Sequence, residues 1–229
     1  MKRMALSLCL LPSLLACQPE GAAPAPAAPT SSAEPPMSQD QASPFRNIYD
    51  ALAAAPADAE LEKLRARTSL VTLQGQVAAA DYALAEPLAT LLSHERAGVR
   101  ATAADLLGAL IANAQGRRSP LPDADRAAAQ PQADAAAAAL MQVLADPDAN
   151  VRLSATKALR EAKAPGVDQA LLARLDDDSA LVRFQALSAL SERPSADRER
   201  VAEAARRLRD DPDDQVRRLA ELTAAGSAP

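Results

Sequence analysis

Few residues in this chain have the types and spacing that chemistry requires. It carries one histidine, His94, beside Glu95, and two cysteines, Cys9 and Cys17. A zinc site draws three or four ligands from His, Cys and carboxylates, and a general base needs a nucleophile within reach. A lone turn histidine supplies neither arrangement. The carboxylate runs Asp176, Asp177, Asp178 and Asp210, Asp211, Asp213, Asp214 offer hard oxygen ligands. They lack the spaced loop with a central glycine that calcium hands use, and aspartates in turns are accounted for by helix capping. No glycine-rich phosphate cradle is present either. The expectation is a non-enzymatic protein with no cofactor and no metal site.

Lys2 and Arg3 precede a short apolar stretch that ends in Ala16. It is too brief to span a bilayer and reads as an export signal over residues 1–16. Leu14-Leu15-Ala16-Cys17 resembles the lipobox of bacterial lipoproteins, with Leu15 where a smaller residue is commoner. That resemblance implies cleavage before Cys17 and lipidation of Cys17, with Cys9 discarded in the signal. The alternative is an ordinary cleaved signal in which Cys17 is incidental. A mature chain with one cysteine forms no internal disulfide. Gln18 stands where aspartate causes inner-membrane retention in the best-known system, so the resemblance implies the periplasmic face of the outer membrane. Several acyl chains on one residue anchor far more firmly than one.

From Cys17 to Pro44 the composition shifts to Ala, Pro, Ser and Glu, with seven prolines. Proline keeps such a segment out of helix and sheet, so this stretch is expected to be a disordered tether. About 28 residues at ~3 Å each reach several tens of ångströms from a membrane. The net charge of −5 becomes more acidic once Lys2 and Arg3 are removed, which argues against nucleic acid as a target. Aromatics make up only 2% of the chain, so its core must be built from Ala, Leu and Val, a composition suited to closely packed helices.

The element that must position everything else is a repeat. Val-Arg recurs at Val99-Arg100, Val151-Arg152, Val182-Arg183 and Val216-Arg217, each with Ala four residues after the Val. The last three are spaced by 31 and 34 residues. Counted from the Val, apolar residues fall at +4 and at +7 or +8, as in Val151, Ala155, Ala158 and Leu159, which is one face of a helix. An Asp- and Pro-rich turn precedes each Val of the last three units, ending one helix and capping the next. First helices are expected over Ala133 to Ala145, Val167 to Leu175 and Arg198 to Arg209. Each unit is a helix pair that cannot bury its faces alone, so the pairs must stack.

The run D-P-D-x-x-V-R-x-x-A-x-x-A-L over Asp146 to Leu159 resembles the short HEAT-like repeats also found in phycobilisome lyase families, and the likeness extends over about residues 82 to 226. It implies an all-α fold, a right-handed α-solenoid of stacked antiparallel helix pairs. It also implies a ladder in which Arg100, Arg152, Arg183 and Arg217 pair with the turn aspartates Asp146, Asp177 and Asp211. His94 occupies the aspartate position of the first unit, which breaks that rung.

The first two anchors lie 52 residues apart. The excess falls near residues 113–134, where Gly and Pro suggest an inserted exposed loop. Residues 45–81 lack the Val-Arg mark and read as a degenerate repeat or cap over the end of the stack, with Phe45, Ile48 and Leu52 on one packing face. Positions +2, +3 and +6 of the second helices should point outward. They read Ala101, Thr102 and Asp105; Leu153, Ser154 and Lys157; Phe184, Gln185 and Ser188; Arg218, Leu219 and Leu222. The apolar members Leu153, Phe184, Leu219 and Leu222 are the candidate partner-binding residues. The leading expectation is a lipid-anchored adaptor that holds a protein partner in the cell envelope. The alternatives are a subunit of a lyase or protein-modification complex, and a self-associating structural protein.

Overall fold

The computed structural model describes residues 43–54, 56–68, 76–116 and 121–226. The expected signal, Cys17 and most of the expected tether lie outside the described residues. Among the described residues ten α-helices follow one another and there is no strand. They are α1 Pro44–Ala53, α2 Asp58–Arg67, α3 Ala85–Leu91, α4 Ala97–Gln115, α5 Asp123–Gln142, α6 Ala149–Ala158, α7 Val167–Ala173, α8 Ala180–Glu192, α9 Arg198–Arg207 and α10 Asp214–Gly226. The architecture is an α-solenoid of stacked helix pairs. The antiparallel pairs α3/α4, α5/α6, α7/α8 and α9/α10 stack so that α4, α6, α8 and α10 form one layer and the first helices the other.

Local chemistry fixes the ends of these helices. Asp148 accepts hydrogen bonds from the backbone amides of Asn150 and Val151, and Asp213 from those of Gln215 and Val216, so each caps the helix that follows. Asp197 does the same for α9. The first helices of the last three pairs tighten into one 3₁₀ turn before the Asp-led corner. Gly166, with φ +85°, starts α7 from the left-handed region that a side chain disfavours.

The core is aliphatic and small. Val151, Ala155 and Leu159, and likewise Val182, Ala186 and Leu190, have no exposed surface, as the spacing predicts. Each buried Leu or Val contributes about 1.5–3 kcal/mol, and alanines between them let helices approach closely. At the N-terminal end Phe45, Ile48 and Leu52 of α1 are buried against the first pair. Ser43, the N-cap of α1, also donates to the Asp81 carboxylate at 2.7 and 2.8 Å, and that carboxylate accepts from the amide of Ala78. Tyr82 donates its hydroxyl to the carbonyl of Leu110, and its pKa is raised by burial and then by the neighbouring Asp81 charge.

One expectation needs correction. The exposed loop expected near residues 113–134 is mostly helix: α4 runs to Gln115 and α5 begins at Asp123, so the extra length makes both helices longer. Alanine-rich sequence with Asp123 and Asp125 in the first turn favours helix strongly enough to carry Pro131, which sits on the solvent side. Gln115, almost fully buried, ties the lengthened helices together by donating to Asp134 and accepting from the amide of Lys163.

Candidate partner-binding face

Three inter-repeat ladder rungs have the same construction. The Nε and Nη2 of Arg100 donate to Asp146 at 2.7 and 2.8 Å, those of Arg152 to Asp177 at 2.9 and 2.8 Å, and those of Arg183 to Asp211 at 2.7 and 2.8 Å. Nη1 of each arginine holds the carbonyls of its own turn: His94 and Glu95, Asp146 and Pro147, Asp177 and Asp178. Each aspartate also accepts from the amide two residues on. One guanidinium therefore fixes its own corner and grips the next, in the forked geometry that suits carboxylate. Burial alone would raise the pKa of Asp146 and Asp177, but the arginine forks and the backbone amides outweigh it and hold both below the usual carboxylate range. For Asp211 the Arg183 fork dominates, with the same result.

The ladder changes at both ends. His94 keeps half of the aspartate's task, accepting at Nδ1 from the amide of Arg96 at 3.0 Å. An imidazole offers no pair of oxygens, and among the described residues no arginine forks onto it. Arg96 instead holds the carbonyl of Pro56 and pairs with Asp58, which fastens α2 to the first corner. At the far end Arg217 holds the carbonyl of Asp211 and turns back to Asp214 on its own helix. Glu221 is exposed at the position where Thr156 and Leu187 are wholly buried under the following pair.

The outward positions divide into a covered and an open part. Ala101 and Thr102 are fully buried, contrary to expectation. The reason is α2, whose Leu61 lies so close to Gly98 that a β-carbon there would come within 2.7 Å of its Cδ2. Arg65 of α2 faces Asp105, together with the Ser154 hydroxyl and Lys157. Loss of hydration, only partly offset by Ser154 and by the Lys157 and Arg65 charges, pushes the Asp105 pKa up to about 6. On α6, α8 and α10 the same face is open. Leu153, Phe184 and Leu219 are partly exposed, and Leu222 is 71% exposed. Ser154 is the exception, buried beside α4. Leu181, 59% exposed, joins this face one residue before Val182. An apolar side chain where the other units have Gly98, Asn150 and Gln215 was the signal for it.

A further feature was not anticipated. Arg193 is buried and donates through Nη1 to the carbonyls of Leu159, Arg160 and Ala162, and through Nε to Asp168 at 2.5 Å. It lines a shallow cleft of about 410 Å³ together with Lys163, Asp168 and Arg200. Its donors are engaged by protein acceptors at the end of α6, so it acts as a C-terminal cap.

The description "HEAT repeats" fits residues 137–225, a stretch from within α5 to the end of α10, by comparison with protein families. Among solved structures, an engineered protein shares 20% identity over 80% of this chain and 78% of its own, with a TM-score of 0.54. A designed armadillo repeat protein shares 17% identity over 80% of this chain and 100% of its own, with a TM-score of 0.35. No curated protein matches the chain. The first of these structures shares the fold, and the repeat is HEAT-like.

Proposed function

We propose that this stack of HEAT-like helix pairs is a non-enzymatic, lipid-anchored adaptor that presents the open face of α6, α8 and α10 to a protein partner in the bacterial cell envelope. The observation that carries the reading is the run of apolar side chains on one face of consecutive helices, Leu153, Leu181, Phe184, Leu219 and Leu222, with Leu181 and Leu222 more than half exposed. Exposed apolar strips of this kind mark interaction surfaces. Cys17 and the proline-rich tether supply the anchor in this reading, through the lipobox resemblance. No helix among the described residues is long and apolar enough to cross a membrane.

Crosslinking in intact cells, with purification of the tagged mature protein against a Phe184→Asp control, tests the adaptor. A discrete envelope protein that disappears in the control supports it, and recovery of this chain alone favours self-association. A pigmented or covalently modified partner would favour the lyase alternative. A head-to-tail filament would need Arg217 to find an aspartate at the first corner of the next copy, and His94 stands there. The anchor has its own test in Cys17→Ser: a variant that still fractionates with membranes after a salt wash is not held by lipid.

A further inference from the structure

The face proposed to bind a partner is already occupied at one end by the protein itself. Helix α2 lies on the outward side of α4 with Leu61 and Leu64 buried, Leu61 seated over Gly98, and Arg65 facing Asp105. This is a short polar helix held in a groove by two leucine anchors at i and i+3, with a cation at i+4. The face continues beyond it across α6, α8 and α10 without a covering helix among the described residues, and its apolar floor is Leu153, Phe184 and Leu219.

The charge on this floor changes sign where α2 ends. The +6 position that offers Asp105 to Arg65 on α4 carries Lys157 on α6. Beyond Phe184, the +2 position on α10 is Arg218. Both cations are exposed; Lys157 shares the Asp105 charge with Arg65, and Arg218 enters no ion pair among the described residues. The other charged pair on this side, Arg160 with Glu192, neutralises itself.

From this we infer that the open groove takes an amphipathic helix with carboxylates where α2 presents Arg65: leucine-type anchors at i and i+7 over Phe184 and Leu153, flanked by carboxylates that meet Lys157 and Arg218. Adjacent packed helices stand roughly 10 Å apart, so α6 to α10 spans roughly 20 Å, or about 13 residues of helix. This rests on the reading of the open face as the partner surface, and it names the partner's chemistry there.

The probes are two labelled helical peptides of about 18 residues with the same leucine spacing, one with glutamate and one with lysine on the polar face. Binding to the full mature chain is read by fluorescence anisotropy. The glutamate peptide is expected to bind at least tenfold more tightly than the lysine peptide. Lys157→Glu with Arg218→Glu should reverse that preference, and Phe184→Asp should abolish binding of both. Leu222→Asp, at a position exposed enough to leave folding unchanged, serves as a second probe of the apolar floor and should weaken both peptides. Equal binding of the two peptides, or a preference for lysine, overturns the inference. A photo-crosslinker at Phe184 in cells separates the two readings. A captured protein whose crosslinked segment is not an acidic helix overturns this inference and leaves the adaptor standing, whereas no captured protein and no peptide binding removes both.

Discussion

Arg183 of α8 and Asp211, at the corner before α10, share two hydrogen bonds of 2.7 and 2.8 Å, while the next arginine in register, Arg217, folds back onto Asp214 of its own helix. The same side chain thus joins two repeats when another corner follows and closes on itself in the last described pair. Glu221 reinforces that ending, because a carboxylate at a position otherwise buried opposes the addition of another pair. At the other end Arg96 and Asp58 bind α2 in place of a rung. The first and last described pairs therefore close their ladder positions in two different ways.

The internal rungs should contribute far more than the terminal one. Arg152 and Asp177 keep only 13% and 3% of their side-chain surface, so removal of one partner leaves a buried charge. Arg152→Ala is expected to lower unfolding free energy by about 3 kcal/mol, and Arg217→Ala, which loses a solvated pair, by less than about 1 kcal/mol. Urea denaturation of both variants, read by circular dichroism, checks the ordering. Equal losses would mean that the ladder is not what couples the repeats.

Gly98 decides whether α2 can lie on the first pair. A leucine there has nowhere to go, since Leu61 occupies the space a β-carbon would need and is itself buried. Gly98→Leu is expected to lift α2 from α4 while the later pairs stay folded. Hydrogen exchange should then show α2 losing protection by at least tenfold, with α7 to α10 unchanged. Unaltered protection of α2 would show that the contact is not needed to hold it.

The repeat and its stacked helices were legible because they are periodic, and the ladder was implied by the HEAT-like resemblance. Val, Arg and Asp recur in fixed register, and each occurrence supports the others. Residues 113–134 misled because Pro131 and the glycine signal a break locally, while the alanine-rich segments on either side of Pro131 support helix over a longer range. The covered state of Ala101 and Thr102 was hidden for another reason. Helical register says which residues face away from the core, but α2 belongs to no repeat, and nothing in the spacing reveals where a non-repeating helix docks. Gly98 was the one local clue, a residue without a side chain at a surface position. Arg193 was invisible in the same way, because its Nη1 partners are backbone carbonyls that no sequence pattern records and its partner Asp168 lies on another helix.

Gln115 is the buried polar link that replaces the expected loop. Its amide donates to Asp134 at 2.8 Å and its carbonyl accepts from the amide of Lys163 at 2.6 Å. Gln115→Leu keeps the volume and leaves the Lys163 amide without this acceptor, so a loss of about 2 kcal/mol is expected. Chemical denaturation measures it. A neutral outcome would mean that water replaces the lost acceptor.

Stability should depend on pH in two opposite ways, and Asp105 separates them. Its carboxyl titrates at about 6 in the folded chain, against an ordinary 3.8. Between those values the folded state binds a proton that the unfolded state does not, so the unfolding free energy rises as pH falls from 7 toward 4. Ser154, Lys157 and Arg65 face this carboxyl and already moderate the effect, which should amount to about 1–2 kcal/mol. Asp146, Asp177 and Asp211 act in reverse: their folded pKa values are lowered, so their contribution is present above the ordinary carboxylate range and is lost as pH falls through those lowered values. The wild-type melting temperature should therefore rise between pH 7 and pH 5 and fall steeply at more acid pH. Asp105→Asn, uncharged throughout, should be more stable than wild type at pH 7 and show no rise down to pH 5, while keeping the acid loss that belongs to the ladder. A variant that still gains stability between pH 7 and pH 5 would place the responsible proton on another group.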